Sequence, residues 1–158
     1  MRPSAAATLA ITLLALGAAG CGSKAAKDTL AKPELATQAN AICKSYNARI
    51  EAIPQPTGQS GASAALEYYQ QTRSVLDDTI NQLATLKPDD AVKRDWQSYV
   101  ASQRKAEQLL DDLVNQVKSR DPNVQRTLER ISAAVDAGDA AAKRVGAGDC
   151  VATRAAPS

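Results

Sequence analysis

With 158 residues, 19 Lys and Arg against 17 Asp and Glu, the chain has the length of one domain and a formal charge of only +2. That balance, with one Trp, four Tyr and no Phe, leaves neither an electrostatic footprint nor stacking surfaces for nucleic acid. Histidine is absent and Met1 is the only methionine, which removes the commonest general base, His-ligated metal sites and a Met/His haem, so no cofactor or metal is expected.

The first element is an apolar leader. No charged residue lies between Arg2 and Lys24, and "AAATLAITLLALG" follows a short positive start. The small residues "AAG" then precede Cys21. This order predicts a cleaved signal over 1–20. The uncharged stretch alone is also long enough for an uncleaved span, and Ala18 and Gly20 would suit an ordinary signal peptidase that leaves Cys21 free. Small residues, a cysteine and "GSK" resemble a bacterial lipobox, with Ala18 where leucine is usual. The resemblance implies acylation of Cys21 and cleavage before it, with the acyl chains holding the protein on the membrane. Residues 21–32, small and charged without apolar period, then read as a flexible tether.

Four amphipathic segments follow, separated by Pro, Gly and Asp-rich breaks. The first, 33–53, sets Leu35, Ala39, Ile42, Tyr46 and Ile50 on one face, with Cys43 at its edge. "PQPTGQSG" at 54–61 breaks it. The second, about 62–87, carries Leu66, Tyr69, Arg73, Leu76, Ile80 and Leu83 in register, and "KPDD" interrupts it. The third, about 89–119, repeats the register with Trp96, Tyr99, Gln103, Ala106, Leu110, Leu113 and Val117. "SRDPN" marks a corner with Asp121 as N-cap and Pro122 in the first turn. The fourth, about 122–146, uses Val124, Leu128, Ile131, Val135 and Val145, then stops at "GAGDC". The fold class is all-α, an up-down-up-down four-helix bundle over 33–150 with a disordered signal and tether and a tail at 151–158.

Three cysteines are an odd number for an exported chain. Assigning Cys21 to lipid leaves Cys43 and Cys150, which outside the cytosol read as a disulfide rather than a metal site, two separate thiols being the alternative. Cys43 lies nearly three turns into the first helix, so "GAGDC" must fold back along the bundle to reach it.

Six residues are candidates for a pocket between helices: Tyr46, Tyr69, Arg73, Trp96, Tyr99 and Gln103. Arg73 and Gln103 fall on core-facing positions, where they could form a polar layer; the favoured reading lays the Arg73 methylenes on apolar surface with its charge in water and has Gln103 hydrogen-bond locally. The aromatics supply packing volume as readily as a pocket wall. The pairs Asp77–Asp78, Asp89–Asp90 and Asp111–Asp112 diverge by about 100° on a helix, and they read as solvated surface or, in "KPDD", as helix-start charge. No G-x-S-x-G or glycine-rich phosphate loop occurs, and no enzymatic activity is expected.

In layout, "QANAICKSYNARIEAIP" after a short leader resembles small helical lipoproteins of high-GC Gram-positive bacteria, with Ala39, Cys43, Asn47 and Ile50 matching their early pattern and "GAGDC" their late cysteine. That resemblance implies an extracytoplasmic, lipid-anchored location on the cell membrane and pairing of Cys43 with Cys150. The expected function is non-enzymatic binding or scaffolding in the envelope, with the membrane, and an envelope protein, as partners. The alternative is a sensor or carrier that holds an apolar molecule between helices. The heptad-like faces of the second and third helices suit an internal core or a partner helix equally, which leaves the oligomeric state open.

Overall fold

The computed structural model describes residues 29–57 and 61–152. The leader, Cys21, most of the tether and the tail beyond Ala152 lie outside the described residues. Among the described residues there are four helices, α1 (Lys32–Glu51), α2 (Gly61–Ala84), α3 (Lys93–Ser119) and α4 (Val124–Val145), followed by a 3-10 turn at Gly148–Cys150. Among the described residues no helix is long and apolar enough to cross a membrane.

The chain enters the domain earlier than the tether reading expects. Leu30 donates its N–H to the Lys87 carbonyl and accepts from Asp89 N–H, a short parallel bridge across the α2–α3 corner, and its side chain packs on the core. Glu34 then reaches back to the Ala31 N–H and satisfies one of the free donors at the start of α1. The "KPDD" corner is longer than its sequence suggests. Helix α2 ends at Ala84 and α3 starts at Lys93, because Pro88 and Asp89 are engaged in pairing with Leu30. At the next corner the expected N-cap at Asp121 is corrected: Asp121 accepts the N–H of Asn123 in a turn, Pro122 stays outside the helix, and α4 begins at Val124 with Asn123 as its N-cap.

Helices α3 and α4 both end in a left-handed residue, Arg120 (φ 56°) and Gly146 (φ 82°). At each, the following N–H turns back to a carbonyl of the last helical turn, Asp121 to Gln116 and Ala147 to Ala142. At Gly146 the reversal has a purpose: it sends the chain back across α1.

Consecutive helices are neighbours, as an up-down-up-down circuit requires, and α3 against α4 is the largest contact. Helices α1 and α4 barely touch; the 3-10 turn fills that seam instead and packs on α1. One core cluster joins Leu35, Ala39, Leu83, Trp96, Ala142 and Val145 near the α2–α3 corner. A second joins Leu76, Ile80, Ala106, Leu110 and Leu113. Over this second cluster Leu128, Ile131 and Val135 of α4 are only partly buried. The cause is length: α1 has 20 residues and α3 has 27, a difference of about 10 Å of helix. The α3–α4 end of the bundle is therefore less fully covered.

Candidate functional site

The fold-back takes place as the cysteine spacing demands. Asp149 donates its N–H to Asn40 Oδ1 (2.9 Å) and accepts at its carbonyl from Asn47 Nδ2 (3.0 Å), so two α1 amides clasp the backbone of one residue. Between them Cys43 bonds to Cys150, with Cα atoms 5.0 Å apart. The edge position expected for Cys43 becomes a buried one because the 3-10 turn lies over it. A disulfide sulfur carries no hydrogen, so the Tyr99 hydroxyl, 3.4 Å from Cys43 Sγ, is the donor of that contact.

Beside the disulfide lies a small inner recess of about 90 Å³, walled by Cys43, Tyr46, Tyr99, Gln103, Asp139 and Cys150. An outer recess of about 230 Å³ continues over the second core cluster, between Tyr69, Thr72, Leu113, Leu128 and Ile131. Tyr46, Leu76, Gln103 and Val135 line both, so the two share a wall. Tyr68 and Tyr69 meet edge to face, ring centroids 5.6 Å apart, at the outer mouth. Thr72 Oγ1, on the outer wall, is buried without a hydrogen-bond partner among the described residues.

The six candidates do not share one pocket. Tyr46 and Gln103 line both recesses, Tyr69 the outer and Tyr99 the inner. Trp96 stacks at 40° on Tyr99 and faces a separate open groove of about 350 Å³, with Leu86, Pro88 and Val100, rimmed by Lys93 and Arg104. Arg73 lines none of these cavities. Its side chain is 41% exposed and ion-pairs with Glu107 and Asp111 of α3, in keeping with the surface reading and not with a polar layer inside the bundle. Such an exposed pair contributes less than about 1 kcal/mol. Asp78 likewise pairs with Arg49, at 2.7 Å, and Asp90 with Lys93. Among the described residues no group of three or more His, Cys, Asp or Glu is placed to hold a metal ion.

The residue that sequence reasoning missed is Asp139. It is 9% exposed, and its Oδ1 accepts the Ala152 N–H at 3.0 Å. Gly138 beside it is the local cause of the burial: a Cβ there would stand 3.0 Å from Gln103 Nε2, so α4 approaches α3 unusually closely. A Gly-Asp step inside an alanine-rich helix was the available signal.

Burial raises the Tyr99 hydroxyl far above its ordinary value, with Tyr46 and then Asp139 adding to the effect, and burial followed by Tyr68 raises Tyr46. A raised folded-state value means the folded chain holds its phenolic protons where the unfolded chain has lost them. The stability from these neutral phenols is complete below about pH 10 and declines as pH rises toward the folded-state values, by about 1.4 kcal/mol per pH unit per group. Urea melts between pH 8 and 12 should show that fall, and Tyr99→Phe should flatten it. An unchanged slope in the variant would place the titration elsewhere.

Compared with protein-family models, curated proteins and solved structures, the chain finds no match in any of the three.

Proposed function

We propose that the chain is a lipid-anchored, extracytoplasmic domain of the cell envelope with a non-enzymatic binding role. The observation that carries the reading is the Cys43–Cys150 bond, which occupies two of the three cysteines and leaves Cys21, directly after the apolar leader, as the odd one. A bridge of this kind belongs to an oxidising compartment, and a leader ending in small residues before cysteine supplies both export and attachment. The sequence has no histidine to activate a nucleophile, which supports a binding role over a hydrolytic one. Feeding cells a labelled fatty acid tests the anchor. Label should enter the wild-type protein and be lost in Cys21→Ala. Label retained in the variant, or none in the wild type, would remove the anchor from the account.

A second reading is favoured by the paired recesses and the unmet Thr72 hydroxyl. In it the bundle holds a small apolar molecule between α1, α2, α3 and α4, as sites between the helices of bundles do. An envelope protein docked on the outer faces would be the partner in the scaffolding form of the first reading.

A further inference from the structure

We propose that the interhelical site takes an organic cation with an apolar body, its charged head beside Asp139 and its apolar part in the outer recess. The inference rests on the ligand-carrying reading above and names its ligand class. Four observations carry it. Asp139 is nine-tenths buried, yet its carboxylate has a single hydrogen bond, the Ala152 N–H, and it forms no ion pair among the described residues. A carboxylate can accept about four hydrogen bonds, so one bond leaves it room to receive a donor from a ligand. Neither recess is lined by a Lys or Arg among the described residues, so no wall cation offsets Asp139. The charge there is of one sign, and an anion would be repelled.

Tyr46 and Tyr99 line the inner recess, and tyrosine rings attract alkylammonium groups. Beyond the shared wall the lining turns apolar: Leu110, Leu113, Leu128 and Ile131 present hydrocarbon to whatever the head group carries behind it. A charged end with aromatic rings and an apolar end without charge match one class of molecule, a short-chain alkylammonium or an aryl amine.

The test is calorimetric titration of the detergent-extracted mature chain, with detergent alone as the blank, using three probes of equal chain length: hexyltrimethylammonium, hexanol and hexanoate. The ammonium should bind roughly tenfold or more tighter than hexanol, and hexanoate should be weakest. Asp139→Asn keeps an acceptor for the Ala152 N–H. It should abolish the preference for the ammonium and leave hexanol unchanged. If that variant fails to fold, the order of the three probes on the wild type decides alone. Equal affinity for all three, or a preference for hexanoate, would overturn the cation and leave the apolar-carrier reading standing. No binding of any probe would remove both. Ammonium binding only after Arg154→Ala would overturn the ligand assignment by making the chain's own tail the occupant.

Discussion

Breaking the Cys43–Cys150 bond should lower stability by about 4 kcal/mol, a little under the ~4.7 kcal/mol that loop-closure entropy gives for a loop of roughly 100 residues. The two cysteines are 107 positions apart, so nearly the whole domain lies inside the loop. The position of the bond adds to the case. Helices α1 and α4 scarcely meet, and the seam between them is closed by the 3-10 turn, held by the disulfide and by Asn40 and Asn47. In a domain of this size, 4 kcal/mol corresponds to a fall in melting temperature on the order of 15 °C. Thermal melts with and without reductant, and of the Cys43→Ala/Cys150→Ala double variant, measure it. A fall of only a few degrees would mean that the two asparagines and the packing of Leu35 and Val145 hold the seam without the bond.

Leu113→Ala should cost about 3 kcal/mol. Leu113 is fully buried at the centre of the second cluster, and truncating such a side chain loses both its transfer energy and the packing around it. Here the void has a further consequence, because Leu113 also lines the outer recess. The substitution enlarges a cavity that is already partly open, and apolar voids of that kind admit small hydrocarbons. Urea unfolding should show a lower midpoint with an unchanged slope. Hexanol should bind the variant at least as tightly as it binds the wild type. A cost below about 1 kcal/mol, within the range of surface substitutions, would show that the second cluster is not a packed core.

Periodicity made the four helices and the inward positions Leu35, Ala39, Leu76, Ile80, Leu83, Leu110 and Leu113 legible, because a stripe repeating every three to four residues has one way to be buried. It shows which face a residue takes but not how deep it lies. Arg73 shares the register of Leu76 and Ile80, yet its long side chain leaves the stripe to reach Glu107 and Asp111. Leu128 and Ile131 fit the pattern as well as Val145 does, but α1 is too short to cover them fully, and that is set by lengths on another segment.

The candidate site was legible in part for a related reason. Trp96 and Gln103 occupy one stripe but are seven residues apart, about 10 Å along the axis, too far for one small cavity. Asp139 was hidden because an isolated carboxylate on a helix reads as solvated; its burial follows from Gly138 and from the returning chain at Ala152. The pairing of Leu30 with the α2–α3 corner leaves no trace in local pattern, since both partners are short irregular segments.

The central claim, an exported bundle pinned by one disulfide and anchored through Cys21, is tested most directly by the intact mass of the protein extracted from membranes, before and after reduction. The account predicts a chain that begins at Cys21, carries added acyl mass, and gains one hydrogen on each of Cys43 and Cys150 when reduced. A full-length mass, or a chain without acyl mass, would contradict the anchor, and an unchanged mass on reduction would contradict the bridge.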